Sequence, residues 1–496
     1  MTTTVRRDVY MSDSDAFSWY MEADPLLRST VVSVMVIDGA PDMERLLERA
    51  DRATRMAPGF RHKVVQAPSR LANPRWVVDP DFDLTFHVRR ICAPAPGTLA
   101  EVFDYARQTG MAGFDRDRPL WEFTLVEGVE GGRVALVMKL HHALSDGIGG
   151  MEMAKYLFDL EADPGAVGPM PDAPSPETFS VLALTLDAMR HNVARVAGFA
   201  RNSVGSVPAG IRSAVRNPIG ALRAGGGLVG SIARTVRPVR STLSAVMQNR
   251  RLAWHYDTIA IPLEDLRAPA RDLGLTLNDA FLGAVTGGLQ RYHERHGSAV
   301  DELRLTMPIS IRTPDDPIGG NRVTLMRFKV PVGQHDSVTR MHHIHDSCLT
   351  ARHEPAISYT NAIAGVLNVL PRGVVGGMLK HVDFLASNVP GFDMPIYLAG
   401  ARVAEWYGFG PTIGAALNAT LVSYNGTCYI GVNIDTGAIP DGATLMECMR
   451  EGFAESTALS TTSEPTTFRR ADNGKLPSDA IDPLAREMAA KEIATP

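Results

Sequence analysis

One octet limits what this chain can fold into more than any other stretch: His141-His142-Ala143-Leu144-Ser145-Asp146-Gly147-Ile148. It follows residues 133–140, a short apolar run that reads as a strand covered on both faces. After it, Met151, Ala154, Leu157 and Leu160 recur at helical spacing. The octet therefore sits on a turn between a buried strand and a helix, which implies a mixed α/β fold.

Successive strand residues point to opposite faces, so His141 and His142 have different tasks, one toward a cavity and one toward its support. A neutral imidazole that titrates near pH 7 can take a proton from an attacking hydroxyl or thiol. Asp146 is close in the chain and reads as a tie between the turn and a basic residue elsewhere. Gly147 permits backbone angles and close approaches that a side chain forbids. The bland alternative is a pair of satisfied structural histidines, but the Asp-Gly at this spacing argues against it.

Here the chain resembles a known family. His141 to Gly147 fits the HHxxxDG signature of coenzyme-A-dependent acyltransferases, a superfamily that includes chloramphenicol acetyltransferases and peptide-synthetase condensation domains. The segments Pro119-Leu120-Trp121-Glu122, Leu277-Asn278-Asp279-Ala280, Pro308-Ile309-Ser310-Ile311-Arg312, Gly320-Asn321-Arg322-Val323, Ser387-Asn388-Val389-Pro390-Gly391 and Ser423-Tyr424-Asn425-Gly426 stand in the family's order. Together they resemble the bacterial wax ester synthase/diacylglycerol acyltransferases over most of the chain.

The resemblance implies an α/β (α+β) fold of two chloramphenicol-acetyltransferase-like domains, a helical connector between them and the active site at their interface. It implies acyl-CoA as donor, diacylglycerol or a fatty alcohol as acceptor, and neither cofactor nor metal. It places the general base on His142, leaving His141 as support, Asp146 in a structural salt bridge and Gly147 as a backbone element. Arg61 is the candidate partner of Asp146. Asn278 and Asp279 match an ND motif that can order the site or simply cap a helix. Ser310 and Arg312 are candidate substrate-channel residues, and Pro119, Leu120 and Trp121 read as packing support. The 387–391 segment reads as an architectural turn.

Composition narrows the alternatives. At 496 residues the chain is too long for one ordinary core. A net charge of -5 argues against a general nucleic-acid binder. Cys92, Cys348, Cys428 and Cys448 are scattered without metal spacing. An acyl-enzyme on Cys348 or Cys428 stays open, although no local pattern pairs either with a histidine. No G-x-S-x-G elbow is present. The N-terminus lacks a signal-peptide core, and no apolar run approaches the ~20 residues that span a bilayer. The expectation is a cytoplasmic protein, peripheral at the inner membrane or at lipid droplets.

Four regions are expected. Residues 1–164 form the first domain, with strands at 31–37, 64–65 and 75–78, helices at 43–56 and 99–112, and Phe82-Asp83 and Phe86-His87 in the sheet region; His87 reads as structural. Residues 165–251 form a connector that opens on a Gly/Pro-rich linker. Residues 252–460 form a second, similar domain with strands at 257–261, 303–308, 323–332, 384–388 and 421–434 and a helix at 278–293. Residues 461–496 read as a mobile tail. From Arg190 to Arg251 the connector has eleven arginines and no acid, a pattern that suits an anionic lipid surface or a plain spacer. Three rivals share some of these features: a condensation or polyketide-type enzyme with a carrier-protein donor, a non-catalytic lipid-droplet protein, and a detoxifying acetyltransferase.

Overall fold

The computed structural model describes residues 9–68, 72–144, 154–165, 168–193, 241–310, 323–354, 357, 359–368, 370 and 372–459. Apolar, β-branched runs form β1 (Thr30–Asp38), β4 (Val88–Cys92), β5 (Trp121–Val129) and β6 (Arg133–His141) in the first half. In the second half they form β7 (Trp254–Pro262), β8 (Glu302–Ser310), β9 (Val323–Pro331), β10 (Phe384–Pro390), β11 (Tyr397–Leu398), β12 (Ala401–Phe409), β13 (Leu417–Tyr424) and β14 (Thr427–Asp435). A separate hairpin pairs β2 (His62–Val65) with β3 (Arg75–Val78).

The strands make two six-stranded sheets. One has the order β11-β12-β1-β6-β5-β4 and the other β7-β14-β13-β10-β8-β9. β6 lies inside the first sheet, antiparallel to β1 and β5. Most of its residues are buried, as a strand covered on both faces requires. The mixed α/β class thus follows the expectation.

The linear division at residue 251 does not carry into the sheets. β11 and β12 belong to the C-terminal half of the chain, yet β12 pairs antiparallel with β1 and extends the first sheet. Trp406 Nε1 donates to Ser33 Oγ at 2.7 Å across that pairing. β12 is also tied to the second sheet, because Tyr424 Oη donates to the Val403 carbonyl (2.8 Å) and Tyr429 Oη to that of Ala404 (3.1 Å). One core consequently contains residues from both halves, including Trp254, Tyr256, Tyr424 and Tyr429.

Three local expectations are corrected. Residues Leu84–His87 form a short helix, because the Asp83 carboxylate accepts from Thr85 N–H (2.9 Å) and caps it. Residues 421–434 are not one strand: Asn425 and Gly426 take positive φ (45° and 77°), the geometry of a two-residue hairpin turn between β13 and β14. Ser387 to Pro390 is the end of β10, parallel to β13, and not a turn. Gly391 follows it where an added Cβ would sit 2.3 Å from the Ser423 carbonyl oxygen.

The connector is described only at its two ends, and residues 194–240 lie outside the described set. A helix over 181–193 docks on the first half through Leu184 and Ala188. On the same face Asp187 binds Arg75 and accepts from Tyr10 Oη (2.6 Å), and His191 stacks on Tyr10 at 3.9 Å. At the other end, the Arg250 guanidinium donates to the carbonyls of Gly414 (2.7 Å), Met247 (2.9 Å) and Val382 (2.9 Å). Arg250 is therefore committed to the protein, as the spacer reading has it, and not to a lipid surface.

Candidate active site

The histidine pair stands where β6 leaves its sheet. His141 is the last residue of the strand, opposite Thr30 of β1, and its N–H donates to the Leu120 carbonyl at 3.0 Å. His142 begins the turn, and its N–H donates to the Ser29 carbonyl at 2.9 Å. The dyad is thus gripped by the chain entering β1 on one side and β5 on the other. The Pro119-Leu120-Trp121 segment is packing support as expected: Leu120 and Trp121 are fully buried, and Trp121 Nε1 donates to the Phe60 carbonyl (2.7 Å).

The two imidazoles differ as alternation requires. His141 has no exposed surface, whereas His142 is half-buried. The Ala143 N–H donates to His141 Nδ1 at 3.0 Å, so that nitrogen is an acceptor and the proton sits on Nε2. Nε2 faces the carboxylate of Glu22, 3.3 Å away and off the line of a well-formed hydrogen bond. Trp19 and Phe114 stand edge-on to the same ring, with centroids 6.1 and 6.0 Å away. Lys139, two residues earlier on the same strand face, is also buried; Gly113 O (3.2 Å), Glu122 (3.5 Å) and the Phe114 ring (4.3 Å) surround its ammonium.

Glu22 was not among the sequence candidates. It is the C-terminal cap of the helix Asp13–Met21, a position that says nothing about a motif more than a hundred residues later. Its carboxylate is buried and accepts from Ser29 N–H at 3.1 Å. Burial opposes its ionisation, but His141, the Ser29 amide and Arg28 together outweigh that and hold the acid below its ordinary range.

Among the other expected site residues, Asp146, Gly147 and Arg312 lie outside the described set, as does the Ser310 side chain. Ser310 itself closes β8 opposite Val323. Arg61 binds Asp51, donates to Thr54 Oγ1 (3.0 Å) and lies over the Phe82 ring (4.5 Å). Asp279 completes a capping box at the start of the helix Leu277–Arg295, accepting from Thr276 N–H (2.9 Å) and Oγ1 (2.7 Å). It also pairs with His345 Nδ1 at 2.9 Å, a partner not anticipated from sequence. Asn278 reaches no closer than 4.0 Å to Met307 Sδ. His87 is structural: fully buried, stacked on Trp121 (4.4 Å) and bonded to its carbonyl (2.7 Å).

The open cysteine route closes here. Cys348 and Cys428 are both buried, and desolvation pushes each thiol up to about 12, so neither offers a thiolate near neutral pH.

Two linked six-stranded sheets define a fold shared with solved acyltransferase and condensation-domain structures. The wax ester synthase/diacylglycerol acyltransferase from Marinobacter aquaeolei VT8 superposes with a TM-score of 0.58 at 21% identity, over 90% of this chain and 99% of that one. The first condensation domain of the calcium-dependent antibiotic synthetase gives 0.61 at 14% identity, over 94% and 100%. By sequence, a Mycobacterium tuberculosis protein provisionally named a diacylglycerol O-acyltransferase is 36% identical over 443 residues, 88% of this chain and 89% of its own. A second from that organism, with a similar provisional name, is 28% identical over 463 residues, covering 91% and 96%. Residues 11–281 match the wax ester synthase/diacylglycerol acyltransferase catalytic domain, and residues 319–456 match the C-terminal domain of the same family. The chain belongs to the wax ester synthase/diacylglycerol acyltransferase family, and it is an O-acyltransferase.

Proposed function

We propose that the enzyme transfers a long-chain acyl group from coenzyme A to the hydroxyl of diacylglycerol, a fatty alcohol or both, with His142 as general base. His142 takes the hydroxyl proton as the oxygen attacks the thioester carbonyl. The C–S bond then breaks, and the imidazolium returns the proton to the departing thiolate. The observation that carries this assignment is the condition of its neighbour: His141 is fully buried, its Nδ1 already accepts a backbone N–H, and its Nε2 faces a carboxylate. Of the two residues, only His142 is partly exposed.

The acceptors named by the relatives are water-insoluble, so catalysis is expected at a lipid surface. The helix over 181–193 supports this reading. Leu182, Leu186, Met189 and Val193 fall on one stripe, opposite the docked face, and all four are exposed. Arg190 is exposed on the same helix, where the acid-free arginine run begins. Aliphatic residues flanked by arginine suit an anionic lipid boundary. Among the described residues no helix is long and apolar enough to cross a membrane.

The test offers purified protein labelled palmitoyl-CoA with dioleoylglycerol or hexadecanol and identifies the product. Labelled triacylglycerol or wax ester is expected. Acylation only from a carrier-protein thioester, or only of small polar alcohols, would contradict the proposal.

A further inference from the structure

We infer that Glu22 is a positioning residue for acyl transfer, holding both histidines of the motif in their working arrangement from a separate helix. The inference rests on His142 as the base. One carboxylate reaches the dyad by two routes. Directly, it faces the Nε2–H of His141 at 3.3 Å. Through the backbone, it accepts the Ser29 N–H at 3.1 Å, and the carbonyl of the same residue accepts the His142 N–H at 2.9 Å.

The two routes do different work. Ala143 N–H on Nδ1 and the carboxylate facing Nε2 leave His141 one compatible neutral tautomer, with the proton on Nε2. The ring is thereby excluded from proton transfer to substrate and kept as a wall beneath the turn, between Trp19 and Phe114. The Ser29 bridge fixes where the backbone of His142 leaves the sheet, and so the origin from which its imidazole reaches the acceptor hydroxyl. Errors of about 1 Å in such an origin cost on the order of 100-fold in rate.

A buried carboxylate is costly unless partnered, and here the partners are Arg28 Nε (3.8 Å), His141 and the Ser29 amide. All of these Glu22 contacts are with groups of the protein itself. Its loss should thus change how often bound substrates react, not how well acyl-CoA binds.

The experiment compares Glu22→Gln, Glu22→Ala and His142→Ala with wild type in steady-state acyl transfer, alongside thermal unfolding. Gln keeps the shape and one acceptor oxygen, so kcat should fall about tenfold, with acyl-CoA KM within about twofold. Ala should fall further, in that order. A folded Glu22→Gln enzyme with wild-type kcat, or with its loss in KM, overturns the inference. If His142→Ala is inactive in the same assay, the general-base reading survives that result; an active His142→Ala removes the general-base reading itself. Should both Glu22 variants fail to fold, the wild-type protein still decides. Nitrogen NMR of labelled histidine, with His141 assigned by difference from His141→Asn, should show the Nε2–H tautomer; an Nδ1–H or doubly protonated ring at pH 8 overturns the inference.

Discussion

Tyr256 of β7 and Phe409 of β12 stack face to face, with ring centroids 4.1 Å apart and planes inclined by 2°. The first residue belongs to the second sheet and the other to the strand lent to the first sheet, so the stack lies on the seam between the halves. Nearby, an added Cβ at Gly431 would meet the Gly408 carbonyl oxygen at 2.1 Å. The sheets therefore meet backbone to backbone at that point.

Such a seam should make the two halves unfold together. Phe409→Ala removes a fully buried ring and is expected to destabilise by about 3–5 kcal/mol. Gly431→Ala, which must displace backbone, should also lower the melting temperature. Calorimetry and far-ultraviolet dichroism should report one shared transition in each variant. Two separated transitions, with only one moved, would show that the halves are independent.

The buried thiols make a chemical prediction. With Cys348 and Cys428 each pushed up to about 12 and Cys448 also raised by burial, none of the three should react readily with a disulfide reagent at pH 8. At pH 8 a thiol of that kind is ionised to about one part in ten thousand. Exposed Cys92 should titrate at once. One fast equivalent in the native protein and four after denaturation are expected; a second fast equivalent would contradict the burial.

Asp279 holds a helix end and a histidine, so its loss should appear chiefly as stability. Thr276→Ala should cost about 1 kcal/mol as a lost cap, and Asp279→Ala more, because the His345 contact goes with it. Denaturant unfolding measures both. Equal kcat per folded molecule is expected in Asp279→Ala. Full stability with lost turnover would return Asp279 to a direct role in the chemistry.

How much of this was legible beforehand depends on the range of the interaction. The buried strand at 133–140, the histidine alternation and the 43–56 helix are encoded by local periodicity, and each appears where the spacing places it. The Asn425-Gly426 turn is equally local, but the apolar residues on both sides run together into one segment and hide it. The insertion of β12 beside β1 depends on contacts more than three hundred residues apart and has no periodic signature. Glu22 and His345 are cases of the same kind. Each is an ordinary polar residue on a helix whose meaning comes from what the fold brings to it. The capping box of Thr276 and Asp279 is local, but Asn278 and Asp279 also fit a family motif, and letters alone do not separate a helix cap from a site residue.

The exposed stripe of the 181–193 helix gives a binding prediction. Changing Leu182, Leu186, Met189 and Val193 to Ser should reduce co-sedimentation with anionic phosphatidylglycerol vesicles several-fold at low salt. Turnover of a detergent-dispersed acceptor should stay near wild type, since all four side chains are exposed on the face of the helix opposite the docked one. Unchanged vesicle binding would remove this helix from any lipid contact.

The central claim is that His142 moves the proton, and its most direct measurement is the single-turnover rate of His142→Ala with labelled palmitoyl-CoA and dioleoylglycerol or hexadecanol. A positioned base contributes roughly 10²–10⁴-fold, so the folded variant should lose at least a hundredfold in rate while still binding acyl-CoA. Ester formation by that folded variant at a rate near wild type would contradict the account.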